Sequence, residues 1–151
     1  MSTTADPATP QLAGQLVVFS LAAEEYALPI GKVQEIIRYS EPRPVDSGLH
    51  WLRGVISLRG KIIPVCDLAA RLGVDNEQNE NSKIVIVDTQ AGTAGVIVDD
   101  VNEVLTVGDD QLDEAPGAGT DFIDGIAKVE DRLIVLLDSD RMLAGSAGDV
   151  A

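Results

Sequence analysis

The chain repeats itself, and the repeat constrains its fold more than any other feature. Shifted by 68 positions, Leu16-Val-Val-Phe19 falls on Ile84-Val-Ile-Val87 and Val33-Gln-Glu-Ile-Ile37 on Val101-Asn-Glu-Val-Leu105. Shifted by 71, Trp51-Leu-Arg-Gly-Val55 falls on Phe122-Ile-Asp-Gly-Ile126, and Lys61-Ile-Ile-Pro-Val-Cys-Asp67 on Arg132-Leu-Ile-Val-Leu-Leu-Asp138. Apolar positions, the glycines Gly54 and Gly125, and the acids Asp67 and Asp138 coincide. The extra three residues fall in the loop before Phe122. Fixed-period self-similarity implies two homologous halves, about 15–74 and 83–145. Each is too small to bury a generous core alone. The halves are therefore expected to pack through one continuous apolar layer, giving a single domain over 15–145.

Short β-type runs separated by turn signals fill both halves. Residues 16–21 and 26–30 flank a turn at 22–25, and Pro29 marks a strand end. Residues 33–39 form the next run, which the prolines Pro42 and Pro44 close. Residues 54–58 and 61–65 make a hairpin about Arg59-Gly60. Asp67 as N-cap and Gly73 as terminator frame a two-turn helix. The second half is built alike: 83–87 with 94–98, then 101–107, a hairpin of 123–129 with 132–137, and a short helix over 138–143. Polar or acidic loops are expected at 75–82 and 108–121, and flexible tails at 1–14 and 146–151. Many short strands spaced about ten residues apart indicate an all-β barrel or sandwich.

Charge and composition narrow the function. Twenty-five acids against eleven bases give a net charge of −14, the reverse of a nucleic-acid footprint and unsuited to anionic lipid. The bases cluster: residues 32–71 hold seven of them against four acids, whereas 75–124 hold thirteen acids and only Lys83. Unlike faces of this kind orient protein partners. No apolar run approaches the roughly 20 residues of a membrane helix, and no secretory signal opens the chain, so a cytoplasmic location without membrane insertion is expected. One Cys and one His cannot build a zinc cage. His50 beside Trp51 and Cys66 in an apolar run read as structural, Ser47 lacks a nucleophile-elbow context, and Asp99-Asp100 and Asp109-Asp110 lack calcium-loop spacing. No enzyme, metal or cofactor is expected.

What remains is surface for binding. Val33, Ile36 and Ile37, with their repeat mates Val101, Val104 and Leu105, present aliphatics without aromatics. Regular strand alternation would set Val33, Glu35 and Ile37 on one face and Ile36 on the other. A groove lined by both repeats would suit an amphipathic helix, whose ridge needs a shallow, adaptable trough.

Five segments carry a further resemblance: Val33-Gln-Glu-Ile-Ile-Arg38, Leu52-Arg-Gly-Val-Ile-Ser-Leu-Arg-Gly60, Ile63-Pro-Val-Cys-Asp-Leu68, Gly95-Val-Ile-Val-Asp-Asp-Val101 and Asp131-Arg-Leu-Ile-Val-Leu-Leu-Asp138. Together, in order and spacing, they resemble the CheW family of chemotaxis coupling proteins, from about Leu16 to Leu143. The resemblance implies two SH3-like five-stranded β-barrels on a shared apolar core, with short helices. It implies a non-catalytic adaptor between the cytoplasmic tips of chemoreceptors and the regulatory domain of the histidine kinase CheA, recruited to receptor arrays at the membrane. The implied receptor groove falls on Ile30, Val33, Ile36, Ile84, Val101 and Val104. Glu35 and Arg59 match a pair supporting that surface, and Gly54 and Gly60 fit turns where a side chain would be awkward. Val45 and Leu49, near the proline turn, are the candidates for kinase contact as exposed barrel-end hydrophobics.

Overall fold

The computed structural model describes residues 14–74, 81–113 and 122–143. The tails, most of the acidic loop at 75–82 and the later part of the loop at 108–121 lie outside the described residues. The elements run β1 (Gly14–Leu21), β2 (Glu24–Pro29), a 3-10 turn (Ile30–Lys32), β3 (Val33–Arg38), β4 (Leu52–Leu58), β5 (Lys61–Asp67) and α1 (Leu68–Leu72). They continue as β6 (Lys83–Thr89), β7 (Gly92–Val98), β8 (Asp100–Val107), a second 3-10 turn (Asp109–Gln111), β9 (Leu112–Asp113), β10 (Ile123–Val129), β11 (Arg132–Leu137) and α2 (Ser139–Met142). Both helices start as expected: Asp67 accepts from the Ala70 N–H at 3.3 Å and Asp138 from Arg141 N–H at 3.1 Å, satisfying first-turn donors.

Among the described residues eleven strands form two sheets, ordered β8-β1-β2-β11-β10-β9 and β3-β6-β7-β5-β4. These are two SH3-like barrels, one of five strands and one of six. The extra strand is the two-residue β9, whose place in the other barrel is taken by a single bridge between Arg43 and Val55. The sheets are not the sequence halves. Hairpin β1–β2 of the first half completes the barrel of β8–β11, and hairpin β6–β7 of the second completes the barrel of β3–β5.

Chain connectivity dictates the exchange. Only Asp99 separates β7 from β8. Had β8 paired antiparallel with its own half's β6, it would run parallel to β7. The chain would then have to travel back along the strand, about 25 Å, before β8 could start. One residue spans under about 4 Å, so β8 crosses to β1. The three residues between β2 and β3 span about 10 Å, short of the roughly 20 Å length of β2, so β3 likewise crosses to β6.

Exchange also explains why β1 and β6 are apolar on both faces. Leu16 and Val18 fill one barrel with Ala27, Ile134 and Leu136, while Ile84 and Ile86 fill the other with Ile63, Val65 and Ile97. The opposite faces supply Phe19, Leu21, Val85 and Val87 to a central layer shared by the barrels. This is the continuous layer the repeat called for, made of interleaved strands. The half-buried Arg71 lies between two repeat-equivalent aromatics of this layer, 5.0 Å from the Trp51 ring and 4.5 Å from that of Phe122. Its Nε donates to the carbonyl of Met142, its own repeat mate, at 3.0 Å.

Candidate functional site

The aliphatic segments lie on the two edge strands, β3 and β8, each paired on one side only. Regular alternation fails in both. The β3–β6 register shifts between Val33 and Glu35, and the β8–β1 register shifts at the equivalent place, so Gln34 and Asn102 are the extra residues of matching β-bulges. Each bulge reverses the phase of the strand residues beyond it. Val33 packs on the central layer whereas Ile37 enters its barrel, so the expected sharing of a face by Val33 and Ile37 does not hold. Ile36 instead returns to the side of Val33. In β8, Val101 packs on the central layer and Leu105 enters the other barrel, which returns Val104 to the side of Val101.

Each edge strand thus carries a half-buried valine on the central layer, then an exposed aliphatic. Ile36 is 41% exposed and Val104 50%. Ile30, 41% exposed, sits in the turn leading into β3. Ile84 does not join them. It points into the barrel interior with Val65 and Ile97 and is fully buried, so it cannot line the surface.

Glu35 and Arg59 meet as the resemblance implied. Arg59 Nη1 donates to Glu35 Oε2, and Nη2 donates to Oε1 at 2.9 Å. This two-point contact holds the Glu35 carboxyl below the usual carboxylate range. Arg59 stands at positive φ (53°) in the β4–β5 turn, beside Gly60 at φ 82°, the turn position expected of that glycine. Gly54 is different. It lies within β4, at a bulge, where a Cβ would sit 2.1 Å from the carbonyl oxygen of Arg43. Its role is a close backbone approach, not a turn. At Gly125, its repeat mate, a Cβ would sit 2.6 Å from the carbonyl oxygen of Asp113.

Val45 and Leu49 are half-buried against the central layer, so they are not the exposed barrel-end hydrophobics they were expected to be. That description fits Ile62 and Leu133, which are 68% and 61% exposed, stand at repeat-equivalent positions and went unnoticed in the sequence. Ile62 borders a cleft lined by Ser40, Glu41, Arg43, Val55, Ile56 and Ser57.

A second ion-pair cluster was missed in the sequence. Arg132 forks onto Glu25, Nε to Oε1 at 3.0 Å and Nη2 to Oε2 at 2.8 Å, and reaches Glu103 Oε2 at 2.6 Å. Glu103 is the repeat mate of Glu35, which was the available signal. The mate of Arg59, however, is Glu130, of the wrong sign, and the arginine stands two residues later.

His50 Nε2 lies 3.3 Å from the Ala70 carbonyl, and burial pushes the Cys66 thiol far up. Asp99 accepts from the Ala22 N–H and Asp100 from Val101 N–H, each at 2.9 Å. Among the described residues no three His, Cys, Asp or Glu side chains come together as a metal site, and no helix is long and apolar enough to cross a membrane.

Fused SH3-like barrels that present aliphatic edge strands define a scaffold for binding other proteins. Residues 15–147 match the model of the CheW-like domain, and the chain belongs to that family; its role is that of a chemotaxis scaffold or adaptor. Similar proteins include the chemotaxis protein CheW of Bacillus subtilis, 33% identical over 85% of this chain and 86% of its own. That of Klebsiella aerogenes is 29% identical over 89% and 87%. The crystal structure of the scaffolding protein TtCheW from Thermoanaerobacter tengcongensis superposes with a TM-score of 0.82 at 34% identity, covering 90% of this chain and 96% of that one.

Proposed function

We propose that the chain couples the cytoplasmic helical tip of a chemoreceptor to the regulatory domain of the kinase CheA, in the cytoplasm, at receptor arrays on the membrane. The receptor side is assigned to Ile30, Val33, Ile36, Val101 and Val104. The observation that carries this is the bulge-set pairing of Val33 with Ile36 and of Val101 with Val104, at repeat-equivalent positions flanking one central layer. A helix ridge buries small aliphatics of this kind without needing aromatic pockets. The kinase side is assigned to the barrel end at Ile62, with Val45 and Leu49 supporting the chain that leads to it.

The test is capture by a soluble cytoplasmic receptor fragment. Ile36→Asp or Val104→Asp should weaken capture sharply while circular dichroism stays native, and Ile62→Asp should spare it while weakening capture by the kinase regulatory domain. Undiminished receptor capture by both Ile36→Asp and Val104→Asp would sink the assignment. With a strongly acidic chain, association rates should also depend steeply on salt.

A further inference from the structure

The Arg132 cluster has a place in the fold that gives it a task. β8 is an edge strand, held by the β1 ladder alone, and its bulge interrupts that ladder between Val101 and Glu103. Side chains replace the missing ladder contacts at this point. The bulge residue Asn102 donates from Nδ2 to Glu25 Oε2 at 3.1 Å, reaching across β1 to β2. Arg132, at the head of β11, grips the same Glu25 at two points and Glu103 at a third. Groups from β2, β8 and β11 are thereby locked together over β1, about the residues whose phase decides where Val101 and Val104 point.

The first repeat is secured at the same place by other residues. The bulge residue Gln34 reaches across β6 to Asp88 and Thr93 on the β6–β7 hairpin, with Thr93 Oγ1 at 3.3 Å. Thr93 is the repeat mate of Glu25. Glu35, the mate of Glu103, takes its arginine from the turn (Arg59), whereas the mate of Arg132 is Lys61. Two solutions from different side chains converge on one mechanical result, a bulge pinned to a neighbouring hairpin.

We propose that Arg132 is a positioning residue for the receptor surface, holding the β8 bulge in the phase that presents Val101 and Val104, as Arg59 does for β3. The inference rests on the receptor-docking reading above. A pair this accessible contributes little to global stability because water and salt screen it. Three directed, charge-assisted hydrogen bonds nonetheless fix geometry well. Arg132 touches no partner in this scheme; it acts through Glu25, Glu103 and the bulge.

The experiment uses the full chain with Arg132→Gln, Arg132→Lys, Val104→Asp and the Arg132→Gln/Val104→Asp pair. A soluble chemoreceptor cytoplasmic fragment is titrated against each, and amide hydrogen exchange is recorded. Arg132→Gln should weaken binding on the order of tenfold, the scale of one charge-assisted contact, and speed exchange at residues 101–105 while leaving 33–37 unchanged. Arg132→Lys should restore part of the affinity, and Arg132→Gln should add nothing in the Val104→Asp background. Wild-type affinity in Arg132→Gln, with Val104→Asp still defective, would overturn the positioning role alone. Equal loss of protection in both barrels would overturn it too, by showing a general structural effect. Wild-type affinity in Val104→Asp would overturn the docking reading itself, and the positioning role with it; the exchange pattern would then still report whether Arg132 pins the bulge.

Discussion

Replacing Gly54 by alanine tests the account of β4 most directly. Its φ is +155°, and a Cβ there would stand 2.1 Å from the Arg43 carbonyl oxygen and 2.6 Å from its carbon. Both are backbone atoms, so no side chain can swing aside. Relief requires parting the Arg43 bridge, in which Arg43 N–H donates to the Val55 carbonyl at 2.8 Å and Val55 N–H to the Arg43 carbonyl at 2.9 Å. Two backbone hydrogen bonds contribute about 0.5–1.5 kcal/mol each, and a backbone held at a disfavoured angle costs about 1–3 kcal/mol. The sum, on the order of 2–6 kcal/mol, is a large part of the roughly 5–15 kcal/mol that folds a domain. For a chain of this size it should lower Tm by roughly 10 °C. Urea titration and thermal melting of Gly54→Ala measure this, with Gly31→Ala as control, since nothing lies within 4 Å of a Cβ there. Matching curves for the two variants would refute the close-approach argument. Gly125→Ala should show the same effect in smaller measure, because the neighbouring β9 is only two residues long.

Three further outcomes are expected. Arg71→Ala removes two cation–π contacts and a hydrogen bond to Met142, at about 1–3 kcal/mol. It should change the emission of Trp51, the chain's sole tryptophan, before any unfolding. Asp124 occupies the place of Arg53, so the ion pair of Arg53 with Asp67 is replaced in the second half by two acids, Asp124 and Asp138. Burial, then the charge of Asp138, raises the Asp124 pKa, with Arg141 opposing. An acid whose folded pKa is raised destabilises the fold as pH climbs through that pKa, so Asp124→Asn should raise Tm at neutral pH and lose its advantage in acid. Cys66 is fully buried with its thiol pKa pushed up; a water-soluble thiol reagent should label it only at the rate of unfolding.

The residues named by sequence divide according to the range of the forces that set them. The repeat, the hairpins and the helix caps at Asp67 and Asp138 were legible, because each rests on alternation, turn chemistry or a local motif, whereas the pairing of Glu35 with Arg59 came only from the family resemblance. The apolar runs of β1 and β6 were legible as strands, but their burial on both faces emerged only from the packing. The strand exchange was not read from the sequence, which suggested two separate halves; it follows once the strand bounds leave a single residue between β7 and β8. The bulges were not legible. Neither Gln34 nor Asn102 carries a bulge signature, and one extra residue decides whether Val33 shares a face with Ile37 or with Ile36. Ile84 and the half-buried Val45 and Leu49 were misplaced for a related reason: an aliphatic side chain has the same sequence appearance whether it faces a barrel interior, the central layer or solvent. Hydrophobicity and short connections, which act locally along the chain, determined the barrels and their interleaving. Tertiary packing alone decided which aliphatics reach the surface, because that depends on the register between strands far apart in sequence.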